Sequence, residues 1–322
     1  GAGFIGSHLA EKLLNEKHKI VGLDNFDPFY DPKIKKANIA TALKNPRYAF
    51  IPGDIRDQKL LAKIFSKHHF DCVIHLAAKV GVLPSLSHPA EYFEINVQGA
   101  LYILEQARQH KIKKIILASS SSVYGANLKI PFSEKDPTDR PLSPYAASKK
   151  AMEILAFTFH KLYKPDIAIL RFFTVYGPRQ RPDMAIHKFT RLISQSKIIP
   201  LYGQGKTERD YTYINDIIQG IANTIKYHRG FEIYNLGTDQ PVNTLSLARL
   251  LEKTLNKKAK IKKMPAQDGD LPRTWADITK AKKMLHYQPK TNIEEGVKKF
   301  GEWLIKKRNQ KAHNCNNRIN MI

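Results

Sequence analysis

Five short apolar runs, separated by amphipathic stretches, constrain the fold of this chain more than any other feature. They are KIVGLD at 19–24, YAFIPGD at 48–54, DCVIHLA at 71–77, KIILASS at 114–120 and IAILRFF at 167–173. Each is continuous and rich in Val, Ile or Leu, as a strand buried on both faces requires. Apolar residues at helical spacing fill the intervals, at 7–16, 57–68, 96–110 and 145–162. A strand that returns parallel to its predecessor needs such a crossover, so the pattern predicts an α/β fold with a doubly wound parallel sheet. Beyond about residue 175 the rhythm loosens into Pro- and Gly-marked loops, among them PRQRPDM, PLYGQGKTERD and PAQDGDLPR. The expected division is a first domain over 1–174, rejoined by about 209–238, and a smaller C-terminal α/β lobe over 175–310. The segment 311–322 lacks apolar periodicity and is expected to be a disordered tail.

With 322 residues, 42% of them hydrophobic and 25% charged, the chain has the makeup of a globular protein with a sizeable core. It contains no apolar run of the roughly 18 residues that a membrane span needs, so no membrane partner is expected. Its two cysteines, Cys72 and Cys315, make neither a disulfide framework nor a metal-ligand spacing. The expectation is a cytoplasmic protein without a metal. The formal charge of +24 invites a nucleic-acid reading. The excess is mostly lysine, however, scattered in runs such as KKAKIKK with few interleaved aromatics, which fits solvated faces better. No nucleic acid is expected; a positive field would instead help gather a small polyanionic substrate.

The chain opens GAGFIGSHLAEKLL, in which Gly1, Gly3 and Gly6 fit GxGxxG leading into a helix. Hydrogen side chains let backbone N–H groups and the positive helix end approach a pyrophosphate. Asp24, about 20 residues on at the end of the next strand, is placed to accept from ribose hydroxyls and to repel a 2′-phosphate, so a Rossmann-like domain with NAD is expected. The strand that should deliver the chain to this turn is the central one of the order 3-2-1-4-5-6. Omitting its buried side chains, at ~1.5–3 kcal/mol each, costs on the order of 10 kcal/mol. The expectation is that a short strand and one more glycine precede Gly1, and that NAD binds poorly without them.

A second constellation joins SSSSVYG at 119–125 to YAASK at 145–149. Tyr145 and Lys149, four apart, share one helix face. A free phenol is a poor base at neutral pH, but a nearby ammonium and a cationic nicotinamide stabilise its anion. A base poised near the operating pH is expected.

Together with DNFDPFYDPKIKKANI, DIRD, HLAAKVGVLPS, NVQGA, RFFTVYGPRQRPDMA and ERDYTYINDI, these motifs resemble the extended short-chain dehydrogenase/reductase family. Within it they are most similar to the NAD-dependent nucleotide-sugar epimerases, in particular those acting on UDP-glucuronate. The resemblance runs from residue 1 to about 310. It implies NAD contacts at Gly3, Phe4, Ile5, Gly6, Asp24, Asn25, Asp54, Ile55, Leu76, Ala77, Ala78, Lys79 and Asn96. Tyr145 is implied as the general base, Lys149 as its tuner and ribose anchor, and Ser120 or Ser122 as the hydrogen-bonding partner. Relatives are often homodimers through paired helices, a role open to 96–110 and 145–162.

The family's reactions begin alike: the tyrosine takes the proton of the sugar 4-hydroxyl as hydride leaves C4, giving a 4-keto sugar. Dehydratases of the family carry an Asp-Glu pair just before Val-Tyr-Gly, and decarboxylases a Glu; this chain has Ser121 and Ser122. Serine cannot do a carboxyl group's acid–base work, so rotation of the keto sugar and return of hydride, an epimerisation, is expected. The resemblance implies that Thr174 and Arg181 hold a sugar carboxylate, a contact that a neutral hydroxymethyl would leave unmade. Because 4-keto-glucuronate is a β-keto acid, the same pair is expected to pin the carboxylate out of alignment for loss of CO2. At the UDP end the resemblance implies Tyr202 on uracil, Arg209 on diphosphate or ribose and Asp270 on ribose hydroxyls. Where hexose epimerases often have an arginine near the Gly-Asp motif, this chain has Gln267 and Asp268, leaving Lys188 and Arg273 as further cations. The alternatives are a 4-epimerase of UDP-glucose or a UDP-N-acetylhexosamine (or its uronate), and a non-catalytic NAD-binding regulator.

Overall fold

Each of the five apolar runs forms a strand in the computed structural model, which describes residues 1–267, 269 and 271–319, with 308–319 described by backbone alone. Along the chain, α1 (Phe4–Asn15) leads to β1 (Ile20–Asp24), α2 (Pro32–Ile39), β2 (Tyr48–Pro52), α3 (Gln58–Lys67) and β3 (Val73–His75). The short α4 (Val82–Ser87) and α5 (Pro89–Phe93) precede α6 (Gly99–Gln109), β4 (Lys114–Ser120), α7 (Pro144–Tyr163) and β5 (Asp166–Phe172). Next come β6 (Thr174–Tyr176), α8 (Ala185–Ser194), β7 (Ile198–Leu201), β8 (Glu208–Tyr213), α9 (Ile214–Tyr227) and β9 (Phe231–Leu236). The chain closes with β10 (Pro241–Asn243), α10 (Thr244–Leu255), β11 (Lys260–Lys263), α11 (Thr279–Leu285) and α12 (Ile293–Ile319).

The strands β3-β4-β5-β9 form an all-parallel sheet, and β1 pairs in parallel with β2. The continuous apolar runs are explained by burial on both faces: in β4, Ile116 and Ala118 enter one core while Ile115 and Leu117 enter the other. In β5, Ala168, Leu170 and Phe172 alternate in the same way with Ile167 and Ile169. Each such side chain contributes roughly 1.5–3 kcal/mol by leaving water. The cores lie beneath α3, α6 and α7 on one side, and α1, α8 and α9 on the other.

Between β1 and β3 the sheet is interrupted by a cavity of about 220 Å³ lined by Val21, Leu23, Val73 and His75. After Phe173 only β9 returns to the main sheet: β6 pairs with β8, which pairs with β10, and β7 pairs with β11. The backbone of α12 is helical through Ile319, and no Gly or Pro follows Gly301 to break it.

Candidate active site

A single cavity of about 530 Å³ opens along the C-terminal ends of β1, β3, β4 and β5, where ligands of doubly wound sheets bind. At one end stands the glycine turn into α1. A Cβ added to Gly6 would lie 2.8 Å from the Gly1 carbonyl oxygen, whereas one added to Gly3 would meet nothing within 4 Å. Gly6 is therefore small so that the turn can close, and Gly3 leaves open space on the cavity wall, as a pyrophosphate approaching the N-terminus of α1 requires.

Phe4, Ile5, Asp24, Asn25, Asp54, Ile55, Leu76, Ala77, Ala78 and Lys79 line the same end. Asp24 accepts from the amides of Ala2 (2.9 Å) and Phe26 (2.8 Å). Asn25 donates to Asp54 at 2.9 Å, and the Arg56 guanidinium, hydrogen-bonded to Asp54, pulls that carboxyl down to about 2. Lys79 is held by Glu91 (2.8 Å) and Asp27 (3.3 Å). Asn96 does not line the cavity. It is buried in the π-turn Glu94–Gln98 that replaces the expected start of α6, accepting from the Lys79 amide (2.7 Å) and donating to the Lys79 carbonyl and Ser148 hydroxyl, each at 2.9 Å. It thus ties the 76–79 wall to α7 from behind.

At the middle, β4 ends in Ser120 and turns through Ser121–Tyr124, with Ser120, Ser121 and Ser122 all on the wall. The Ser120 hydroxyl accepts from the Ser122 amide and donates to the Ser122 hydroxyl, both at 3.1 Å. Opposite, Ser143 caps α7 by accepting from the Ala146 amide, Pro144 begins its first turn, and Tyr145 and Lys149 face the cavity together. Burial pulls Lys149 down to about 8, against the opposing field of Glu153, and its Nζ donates to the Ala118 carbonyl at 2.8 Å. Burial also pushes the Tyr145 phenol up, opposed only in part by a hydrogen bond with Ser120 and by the charge of Arg181. In the protein alone, Ser120 and Arg181 are the groups that oppose the burial of Tyr145.

Sequence reasoning missed the support beneath these groups. Glu153, one turn beyond Lys149, accepts from Ser119 (2.6 Å) and from Arg171 Nε and Nη2 (3.0 and 2.8 Å), all of them buried. The signal was present in IAILRFF, where a lone arginine interrupts a buried strand and so requires a buried acid.

At the far end Thr174, Arg181 and Arg209 line the wall. The loop that carries Arg181 is pinned by Arg179, whose guanidinium reaches Glu11 at 2.7 Å, and by Gln180, whose carbonyl is 2.8 Å from His187 Nδ1. Arg181 lies over the Phe29 ring, 5.5 Å from its centroid. Asp183 bridges its Nε (3.0 Å) and Nη2 (2.7 Å). Arg209 donates to the Glu208 carbonyl at 2.8 Å, and Arg273 pairs with the Glu208 carboxylate. Two expected substrate contacts are not brought to the cavity wall: Lys188, on the half-buried side of α8, and Tyr202, at the turn after β7. Asp270 lies outside the described residues.

The cavity thus joins a dinucleotide turn, a Ser–Tyr–Lys centre and an arginine-bearing pocket. The family model for GDP-mannose 4,6 dehydratase matches residues 1–300. The chain belongs to that family. It is an extended short-chain dehydrogenase/reductase. A curated UDP-glucuronate 4-epimerase of Thermodesulfobacterium geofontis is 42% identical over 303 residues, covering 94% of this chain and 93% of the relative. UDP-glucuronate 4-epimerase 1 of Arabidopsis thaliana is 43% identical over 323 residues, covering 94% of this chain and 75% of that protein. The crystal structure of a Bacillus cereus UDP-glucuronic acid 4-epimerase with UDP-glucuronic acid and NAD superposes with a TM-score of 0.90 at 36% identity, covering 95% of this chain and 97% of that one. A family member of another activity, a dTDP-glucose 4,6-dehydratase of Streptomyces venezuelae with NAD bound, has a TM-score of 0.89 at 30% identity, covering 96% of each chain. Fold alone does not separate these activities; the side chains of the site must.

Proposed function

We propose that this protein is an NAD-dependent UDP-glucuronate 4-epimerase, an isomerase that interconverts UDP-glucuronate and UDP-galacturonate. One observation carries the reading: a single cavity joins the glycine turn and Asp24 to Tyr145 and on to Thr174 and Arg181, with Ser121 and Ser122 where elimination chemistry would need carboxyl groups. The open wall at Gly3 and the strand-end Asp24 fit NAD, with Asp54, Ile55 and 76–79 lining the rest of its length. NAD supplies reversible acceptance of hydride from the sugar C4.

The chain's own residues do the proton and positioning work. Tyr145 withdraws the 4-hydroxyl proton and later returns it, with the Ser120 hydroxyl holding the same oxygen and Ser122 holding Ser120. Lys149 anchors the cofactor ribose, and its charge favours the phenolate as the reaction proceeds. Thr174 and Arg181 hold the C6 carboxylate so that the keto acid keeps its CO2. Arg209 lies on the diphosphate side, and residues 175–310 outside 209–238 form the nucleotide-sugar lobe.

A second reading has specific support, because the Asp183 bridge leaves Arg181 neutralised even when a sugar without a carboxylate is bound. The test is to incubate the full-length protein with UDP-glucuronate and, separately, UDP-glucose, and to analyse the sugars. UDP-galacturonate as the main product supports the reading. UDP-pentose, or turnover of UDP-glucose alone, overturns it.

Exposed Ile154 and Phe157 on α7, at 57% and 45%, support a homodimer through that helix and α6. Among the described residues no helix is long and apolar enough to cross a membrane, which is compatible with the cytoplasmic location we propose.

A further inference from the structure

The pocket for the sugar carboxylate already contains a carboxylate. Asp183, two residues beyond Arg181 in the loop before α8, takes the Nε and Nη2 edge of the guanidinium as a fork, at 3.0 and 2.7 Å. Nη2 also lies 3.5 Å from Met184 Sδ, and Phe29 covers one face of the guanidinium. Asp183 itself is well exposed, its side chain at 43% against 19% for Arg181. A bidentate pair is the strongest ordinary contact an arginine makes. A uronate entering this pocket therefore meets a cation whose best edge is occupied and whose charge is largely cancelled.

We propose that Asp183 is a positioning residue that sets the strength and selectivity of uronate binding, acting as the resident counter-ion of Arg181. The inference rests on the proposed epimerase reading and deepens it. Two consequences follow from charge alone. With a neutral hexose bound, Arg181 is not left unpaired, so discrimination against UDP-glucose is weaker than a lone arginine would give. With a uronate bound, repulsion from Asp183 loosens the grip on the carboxylate. A loose grip suits this reaction, because the keto sugar must turn over in the site before hydride returns to its other face. A carboxylate held at full strength would favour one orientation and slow that turn.

The experiment compares the full-length, NAD-bound wild type with Asp183→Asn, Asp183→Ala and Asp183→Glu. The dissociation constants of UDP-glucuronate and UDP-glucose are measured by calorimetry, alongside kcat and KM for epimerisation, and retention of NAD reports folding. The exposure of Asp183 and the near-isosteric Asn keep the fold intact. In Asp183→Asn and Asp183→Ala the preference for UDP-glucuronate over UDP-glucose should rise about tenfold, with KM and kcat for the uronate both falling. Asp183→Glu should restore the wild-type values. If Asp183 merely props the loop, the preference falls, KM rises and Glu gives no rescue; that result, or an unchanged preference, overturns the inference. A wild type that turns over UDP-glucose alone removes the epimerase reading and the inference with it. A discriminating wild type whose preference survives the substitutions removes the inference alone.

Discussion

The two ends of the cavity are built by different means. At the cofactor end nearly every wall residue ends or follows a parallel strand: Asp24 ends β1 and Asn25 follows it, Asp54 and Ile55 follow β2, Leu76 to Lys79 follow β3, and Ser120 ends β4. At the sugar end Arg181, Arg209 and Leu271 come from loops and short strands outside that sheet, and they are placed by side-chain pairs such as Arg179–Glu11 and Arg181–Asp183. The first kind of wall is fixed by backbone hydrogen bonds. The second depends on which charged groups find each other, so it can diversify while the sheet stays constant.

Substitutions can break this contrast or sharpen it. The largest effect is expected at the seam between the ends: Tyr145→Phe should lower kcat with UDP-glucuronate by roughly 10²–10⁴-fold while leaving NAD content unchanged. Loss of NAD along with activity would show that Tyr145 belongs to the cofactor wall instead. Beneath the seam, Glu153→Ala strands the buried Arg171 and should cost about 3–5 kcal/mol in denaturant unfolding. A cost below ~1 kcal/mol would mean that water reaches the pair.

At the sugar end, Arg181→Ala removes about one charged hydrogen-bonding contact, on the order of 1.5–3 kcal/mol, or some ten- to hundredfold in the KM for UDP-glucuronate. UDP-pentose should then appear among the products. Unweakened binding without pentose would remove Thr174 and Arg181 from the carboxylate's keeping.

The last effect is a matter of pH. Burial holds Lys149 near 8, below its ordinary 10.5, so between those values the unfolded state binds more protons than the folded one. Stability should therefore rise with pH across that window, and Lys149→Met should flatten the slope in unfolding measured at pH 8 and 10. An unchanged slope would assign the pH dependence elsewhere.

Legibility followed the same division. Tyr145 and Lys149 could be read because both lie on α7, where a spacing of four fixes a shared face before any tertiary contact forms. Gly3, Asp24 and Ser120 could be read because strand ends converge in a doubly wound sheet. Asn96 was named as a cofactor contact by resemblance alone, and no local pattern showed the π-turn that carries it behind the wall. Lys188 and Tyr202 read as substrate contacts from their motifs, yet local sequence does not fix where α8 and the turn after β7 come to rest.

The sequence by itself determined the sheet, the dinucleotide turn and the Tyr–Lys pair, because each depends on periodicity within one element or on the rule that joins parallel strands. Only the tertiary structure decided that burial raises the Tyr145 phenol and that Glu153 and Arg171 close a buried pair beneath it. Burial and ion pairing are properties of what surrounds a side chain. Those surroundings exist only once distant segments have packed.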